Sequence, residues 1–378
     1  MSAWPGKYVI GLTGNIATGK SVVRKMLEHL GAYGIDADAL SHRAMSRSAP
    51  GYQKVVDTFG KWIVASDGQI DRAKLSRLVF PDPEAMRSLE AIIHPLVRDA
   101  IDVLTRRSKH KVIVIEAIKL LEGDLHTYCD SIWVTDTPQD TQTLRLIKKR
   151  GMSAEAAWER IHAQSPQSEK LSKADIIIQN DKSFEDTWRQ VAAAWQVTVP
   201  AEAFTPTPKK KKVPEGTFSV QRARPQEADK IAGFINHITQ SPTSLTRSDI
   251  MAAFGEKAFL LLLYGEKIVG LMGWQVENLV ARVDDVYIET KISLPKAIKT
   301  MTEEVEQASK ELQCEAALLF LPPDLAQHQN VWQSVWYDAR TVKDLGVRAW
   351  QEAAMDSMKP GTVMLFKQLR KDRVLRPV

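Results

Sequence analysis

The residues with the clearest chemical signature lie near the start of the chain, where residues 14–21 read GNIATGKS. This segment matches G-x-x-x-x-G-K-[ST], the pattern of a loop whose backbone N–H groups surround a phosphate. Glycine at the first and sixth positions permits backbone angles that other residues avoid, so successive N–H groups can converge on one anion. The residues predicted to bind the phosphates of ATP are Gly14, Asn15, Ile16, Ala17, Thr18, Gly19, Lys20 and Ser21.

Two side chains of this loop have predicted chemical roles. We expect the Lys20 ammonium to reach the β- and γ-phosphates and the Ser21 hydroxyl to bind Mg²⁺. An apolar run at residues 7–13 precedes the loop, and a helix pattern at residues 21–30 follows it. This strand–loop–helix order is the context in which the motif binds a nucleoside triphosphate, whereas a glycine-rich turn without a ligand is the alternative.

The elements that must position this loop form an alternating pattern. Apolar, strand-like runs at residues 112–116, 131–134 and 174–179 are separated by helix patterns, the longest at residues 84–107. Continuous apolar strands with helices between them are typical of a parallel sheet covered on both faces. The sequence therefore predicts an α/β fold for the first half of the chain.

A pair of carboxylates follows the first helix, in the sequence IDAD at residues 35–38. We expect Ile35 to enter a short strand, with Asp36 and Asp38 at its carboxyl end, where open parallel sheets bind ligands. Strand alternation would direct both side chains to the same side. A carboxylate facing the phosphate loop can accept the proton of an attacking hydroxyl, whereas an N-cap role for a helix at residues 39–45 is the alternative. We expect both roles to occur, with Asp38 as the base.

The order of several motifs resembles the dephospho-coenzyme A kinase family over about residues 7–195. The phosphate loop is common to all P-loop kinases, but the ordered combination of IDAD, DGxIDRxxL and IIHPLVR is specific. The resemblance implies a P-loop kinase sheet, and transfer of the γ-phosphate of ATP to the ribose 3′-hydroxyl of dephospho-coenzyme A, the last step of coenzyme A synthesis. The matching segments are GLTGNIATGKS, IDAD, DGQIDRAKLSRLVF, LEAIIHPLVR, LRLIKKRG and ADIIIQN.

The resemblance also implies roles for individual residues. Asp38 would be the base on the 3′-hydroxyl, and Arg145 would be a lid arginine on the phosphates. The implied catalytic residues are therefore Asp38, Lys20 and Arg145. The implied substrate-binding residues are Asp38, His94, Arg98, Leu120 and Glu122.

Arg145, His94 and Asn180 each lie in a segment that has a second interpretation. The basic helix pattern at residues 141–150 can close over the phosphates as a lid, or it can be a solvated basic face. His94 precedes Pro95 and can instead end a helix. Asn180 can line the adenine pocket, or it can end the last strand in a turn.

The segment after the central strand departs from the family pattern. The family usually shows Pro-Leu-Leu-hydrophobic-Glu there, whereas residues 118–122 read IKLLE. The proline is missing and Lys119 introduces a charge, while Leu120 and Glu122 match. This departure affects substrate contact and leaves the phosphate chemistry intact. Glu116, which ends the strand pattern VIVIE, is a further candidate that can bind Mg²⁺ through water.

The second half of the chain has a different layout. Residues 200–216 hold four prolines and a run of four lysines, and we interpret them as a linker between domains at residues 1–199 and 217–378. The second domain resembles the α+β fold of GNAT acetyltransferases in layout, through a three-strand meander and a long helix at residues 295–312. That family binds the pyrophosphate of acetyl-coenzyme A with a glycine-rich loop, but residues 291–296 contain no glycine. We expect a regulatory or assembly role, not acetyl transfer.

Composition excludes several other classes of protein. A chain of 378 residues with 44% hydrophobic and 26% charged residues is typical of two or three globular domains. The net charge of +5 resides mostly in the lysine run, which argues against a nucleic-acid partner. No apolar stretch reaches the ~18 residues that span a membrane, and two distant cysteines fit the cytoplasm. A homo-oligomer is compatible with the sequence, and a nucleotide-gated or acyl-coenzyme A-recognising protein with an inactive kinase domain is the alternative function.

Overall fold

The computed structural model describes residues 3–203 and 216–371 and contains two sheets. We call residues 3–203 the parallel-sheet unit and residues 216–371 the mixed-sheet unit. The predicted linker and its lysine run fall largely outside the described residues, so the proposed domain boundaries stay a prediction. None of the helices in the described ranges combines the length and the apolar character that crossing a bilayer requires.

The parallel-sheet unit contains five strands in the order β2-β3-β1-β4-β5, and every neighbouring pair is parallel. This arrangement confirms the predicted α/β class. The strands are β1 (Tyr8–Thr13), β2 (Tyr33–Asp36), β3 (Val112–Glu116), β4 (Ser131–Asp136) and β5 (Ile176–Gln179). The helices of this unit are α1 (Lys20–His29), α2 (Ala37–Ala44), α3 (Pro50–Phe59), α4 (Arg72–Val79), α5 (Pro83–Arg107), α6 (Gln139–Arg150), α7 (Ala154–His162), α8 (Gln167–Leu171) and α9 (Phe184–Thr198).

Helices cover both faces of this sheet because its buried side chains alternate along each strand. Val9 and Ile113 lie in one apolar core with residues of α2, α3 and α5. Ile10 and Val112 lie in a second core with residues of α1 and α9. The carboxyl ends of the strands thus remain available for loops that carry polar residues.

The long helix α5 passes through Pro95, so the interpretation of His94 as a helix-end residue is wrong. A proline inside a helix removes one backbone hydrogen bond and tends to kink the helix. Here Ile93, Val97 and Ile101 recur at four-residue spacing and are buried in the core, and this burial holds the helix together across the proline.

The mixed-sheet unit contains a seven-stranded sheet in the order β11-β12-β10-β9-β8-β7-β6. Within this sheet, β9 and β10 are the only described neighbours that pair in parallel, and the other described pairs are antiparallel. Its strands are β6 (Phe218–Arg222), β7 (Ala258–Tyr264), β8 (Lys267–Glu277), β9 (Val280–Ile288), β10 (Ala316–Leu321), β11 (Asp338–Ala339) and β12 (Val363–Gln368). Its helices are α10 (Ala228–Thr239), α11 (Arg247–Ala253), α12 (Leu294–Glu311), α13 (Pro323–Ala326), α14 (Gln329–Ser334) and α15 (Arg348–Ser357).

Candidate active site

The phosphate loop joins β1 to α1, and two of its positions require glycine. Gly14 has φ +146° and Gly19 has φ +95°. A Cβ atom would lie 2.5 Å from Thr135 Oγ1 at the first position and 1.8 Å from Asn180 Nδ2 at the second. The first N–H groups of α1 have no partner within the helix, so they and the helix dipole favour an anion at this end.

The Lys20 side chain is buried against this loop. Its Nζ donates to the carbonyl oxygens of Gly14 at 3.0 Å and Asn15 at 3.2 Å. Burial lowers the pKa of Lys20, and the nearby carboxylates of Glu116 and Asp38 act in the opposite direction. The ammonium group is therefore placed between the loop and a group of acids.

Glu116 is the most enclosed of these acids, with a residue exposure of 4%. It ends β3, where the register places it beside Leu12 of β1 and Asp36 of β2. Ser21 Oγ donates to Glu116 Oε1 at 2.8 Å, and Arg24 Nε donates to Glu116 Oε2 at 2.6 Å. The predicted Mg²⁺ ligand thus contacts the acid that the sequence marked as a further metal candidate.

Asp36 and Asp38 have different positions, contrary to the prediction from strand alternation. The strand β2 ends at Asp36, which is the N-cap of α2 and accepts a hydrogen bond from Ala39 N at 2.8 Å. Asp38 lies in the first turn of the helix, and its Oδ2 accepts from Ile118 N at 3.2 Å. The alternation argument fails because the cap turns the chain into a helix before Asp38.

The two carboxyl groups also differ in their electrostatics. Burial and the charge of Glu116 raise the pKa of Asp36 to about 6. Burial raises the pKa of Asp38 as well, while its hydrogen bond from Ile118 and the charge of Lys20 lower it. A carboxylate with a raised pKa accepts a proton more readily near neutral pH than an ordinary one.

Arg145 of α6 reaches the phosphate loop. Its Nη1 donates to Ala17 O at 3.0 Å, and its Nη2 donates to Asn180 O at 2.6 Å. Asn180 in turn donates from Nδ2 to Thr18 O at 2.9 Å, so its side chain supports the loop backbone. The other basic residues at the end of α6, at positions 148–150, are exposed, as expected for a solvated face.

The residues predicted to bind the acceptor lie on two facing segments. On α5, Glu90, His94 and Arg98 recur at four-residue spacing on one face. Glu90 pairs with Lys119 at 3.0 Å, and Arg98 pairs with Asp124 at 2.7 Å, so this face lies against the segment after β3. His94 is exposed between these two ion pairs.

Comparison with known proteins adds an independent observation. A family model described as dephospho-CoA kinase matches residues 8–186. The dephospho-CoA kinase of Carboxydothermus hydrogenoformans is 43% identical over 192 residues, which are 50% of this chain and 93% of that protein. The dephospho-CoA kinase of Symbiobacterium thermophilum is 41% identical and matches 52% of this chain and 84% of its own length.

The chain belongs to the dephospho-CoA kinase family. This membership confirms the resemblance seen in the sequence and the prediction of a kinase that uses ATP. A solved dephospho-CoA kinase from Campylobacter jejuni is 28% identical, with a TM-score of 0.38. The matched region covers 51% of this chain and 98% of the Campylobacter jejuni chain. A GNAT family acetyltransferase from Staphylococcus aureus is 12% identical, with a TM-score of 0.33, and covers 41% of this chain and 100% of its own. Both TM-scores lie below 0.5, so the sequence relatives carry the assignment.

Two glutamines of the kinase contact the loop although no motif marks them. Ile16 N donates to Gln164 Oε1 at 2.7 Å, and Asn15 N donates to Gln167 Oε1 at 3.0 Å. Gln164 lies in the short connection between α7 and α8, and Gln167 is the first residue of α8. This part of the chain therefore contacts the first residues of the phosphate loop. The sequence around them, HAQSPQS, has no spacing that could have singled them out.

Two residues of the segment after β3 have separate roles. Leu120 is fully buried in the core of the parallel-sheet unit, so its side chain is not available to a substrate. This corrects the role that the family resemblance implied for it. Glu122 accepts from Lys170 of α8 at 3.3 Å and remains a candidate for contact with the acceptor.

A stability measurement tests this assignment of Leu120. Replacing a fully buried leucine with alanine leaves a cavity, so Leu120→Ala should lower the free energy of unfolding by about 2–5 kcal/mol in urea denaturation. The KM for the acceptor should stay unchanged in the folded protein. Leu121→Ala, at a partly exposed neighbour, is the control. A raised acceptor KM with unchanged stability would restore the original prediction.

The pH dependence of stability tests the environment of Asp36. Its pKa of about 6 lies above the ordinary value of 3.8, so ionisation costs folding energy as pH rises through this interval. Asn caps helices about as well as Asp. Asp36→Asn should therefore stabilise the protein more at pH 7.5 than at pH 5, by on the order of 1 kcal/mol. An equal effect at both pH values, measured by urea denaturation, would show that the carboxyl group is not perturbed.

Proposed function

We propose that this chain transfers the γ-phosphate of ATP to the ribose 3′-hydroxyl of dephospho-coenzyme A, giving coenzyme A and ADP. The observation that carries the proposal is that Asp38 lies near enough to Lys20 for their charges to interact, at the edge of the sheet where the phosphate loop begins. Membership of the dephospho-CoA kinase family supports the choice of acceptor. The reaction completes coenzyme A synthesis.

On the ATP side, the chain supplies positive charge around the phosphates. The N–H groups of the loop and the start of α1 surround the β-phosphate, and Lys20 neutralises charge on the β- and γ-phosphates. Arg145, which contacts the loop at Ala17 O, stabilises the charge that develops on the equatorial oxygens during transfer. Together these groups make the γ-phosphate electrophilic and hold it in line with the acceptor.

The residues Ser21 and Glu116 fit a Mg²⁺ ion, because this ion prefers hydroxyl and carboxylate oxygens and Glu116 is a buried acid beside Ser21. When bound, Mg²⁺ neutralises charge on the β- and γ-phosphates. Ser21 would bind it directly and Glu116 through water. Arg24 holds the carboxylate of Glu116 in place from the opposite oxygen.

On the acceptor side, Asp38 takes the proton of the 3′-hydroxyl. The hydroxyl oxygen then forms a bond to the γ-phosphorus, while the bond from phosphorus to the bridging oxygen of ADP breaks. The hydrogen bond from Ile118 N holds one carboxylate oxygen, and the second oxygen takes the proton. His94, Arg98 and Glu122 bind more distant parts of dephospho-coenzyme A, where the exposed face of α5 meets the segment after β3.

The acceptor dependence of ADP formation tests this function. With MgATP, the full-length chain should form ADP only when dephospho-coenzyme A is present, and the product should be coenzyme A by mass. ADP formation with a different nucleoside as the sole acceptor would contradict the proposal. Tight ATP binding without any transfer would instead support the alternative of a regulatory protein with an inactive kinase unit.

Two isosteric variants identify the base. Asp38→Asn removes the proton acceptor and should lower kcat by about 10²–10⁴-fold, with little change in the KM for ATP. Asp36→Asn keeps the helix cap and should lower kcat far less. If the two variants exchange these effects, Asp36 is the base and the assignment is wrong.

A further inference from the structure

The mixed-sheet unit contributes a side chain to the core of the kinase. The two-residue turn between β8 and β9 consists of Asn278 and Leu279, with φ +50° and +60°. Leu279 is 8% exposed and lies in the same apolar core as Tyr33, Ile35 and Leu40. These residues belong to β2 and α2, so the turn packs against the edge strand of the parallel sheet.

A buried ion pair crosses the junction beside this turn. Arg43, in the last turn of α2, donates from Nη2 to Glu315 Oε1 at 2.5 Å and from Nη1 to Asn278 O at 2.6 Å. The side chains of Arg43 and Glu315 are 7% and 1% exposed. Because a planar guanidinium binds two acceptors at once, it fixes both the distance and the orientation of its helix relative to those acceptors.

The acceptors of Arg43 are held rigidly by the mixed sheet. Glu315 N donates to Leu279 O at 2.7 Å, and Leu369 N donates to Glu315 O at 2.9 Å. Glu315 is thus tied by its backbone to the β8–β9 turn and to the residue after β12. Both acceptors of Arg43 therefore belong to segments that are hydrogen-bonded into the second sheet.

The same junction reaches α1. Lys25 donates to Val276 O at 3.1 Å and pairs with Glu28 at 2.9 Å. Glu28 pairs with Arg24, which holds Glu116 beside Ser21. The helices α1 and α2, which carry Ser21 and Asp38, are thus both in contact with the mixed-sheet unit.

We propose that the mixed-sheet unit is an internal brace of the kinase, and that Arg43 is a positioning residue that fixes α2, and with it Asp38, through Glu315 and Asn278. The inference rests on the proposed role of Asp38 as the base. The helix α2 has eight residues, too few for stability by itself, so its position depends on its packing in the apolar core and on the contacts at its two ends. Its first end is capped by Asp36, and its last turn is held by Arg43.

The test measures kcat in the full-length chain. Arg43→Met should lower kcat at least tenfold with a KM for MgATP within about twofold, since small displacements of a reacting group cost about 10²-fold. The matched control is Glu352→Leu, which removes the more exposed ion pair between Arg72 and Glu352 across the same junction. This control should change kcat less than twofold.

The double variant Arg43→Met/Glu315→Leu separates positioning from stability. It removes both buried charges, so it should fold better than either single variant. Its kcat should nevertheless stay at least tenfold below that of the unmodified chain. Recovery of both the melting temperature and kcat would show that the ion pair serves stability alone and would overturn the inference.

Combination with Asp38→Asn tests whether Arg43 acts through the base. If it does, adding Arg43→Met to the Asp38→Asn chain should cause less than a twofold further loss, because residues that act as a unit are non-additive. The same fold loss in both backgrounds would contradict the proposal. Failure of the unmodified chain to phosphorylate dephospho-coenzyme A would instead contradict the proposed function, so the two failures are distinguishable.

Discussion

The rest of the site depends on how the buried carboxylate of Glu116 is held by its two partners. A carboxylate with 4% exposure must be compensated, and here Ser21 and Arg24 each hold one of its oxygens. The ion pair with Arg24 orients α1, while the hydrogen bond to Ser21 sets the first turn of that helix behind the phosphate loop. Burial, together with the same charge, raises the pKa of Asp36, the cap of α2. One buried acid thus links the helix that follows the phosphate loop with the cap of α2.

The parallel sheet explains how these groups meet. The strands β1, β2 and β3 are neighbours, and their carboxyl ends bear the phosphate loop, Asp36 and Glu116. In an open parallel sheet the carboxyl ends of all strands lie at the same edge, so residues that bind ligands lie close together there. These groups therefore lie on short segments directly after their strands, whereas Arg145 reaches the phosphate loop from α6.

Local patterns in the sequence predicted most of this unit, whereas long-range contacts were not predictable. The phosphate loop, the apolar strands and the family motifs are continuous segments, so their residues could be read directly. The position of Asp38 depends on where β2 ends. This strand ends at Asp36, because Asp36 caps α2. The loop contact of Gln164 joins residues 148 positions apart. Polar residues that meet only after folding leave no pattern along the chain.

The junction between the two units shows the same limit more strongly. Arg43 and Glu315 are 272 positions apart, and each alone resembles an ordinary surface charge. Both are buried beside the β8–β9 turn, whose Leu279 lies in the same apolar core as residues of β2.

The most direct test of the proposed base is a crystal structure of the chain with a non-hydrolysable ATP analogue, Mg²⁺ and dephospho-coenzyme A. We expect a carboxylate oxygen of Asp38 at about 2.6–3.2 Å from the ribose 3′ oxygen. A different carboxylate at that position would show that Asp38 is not the base.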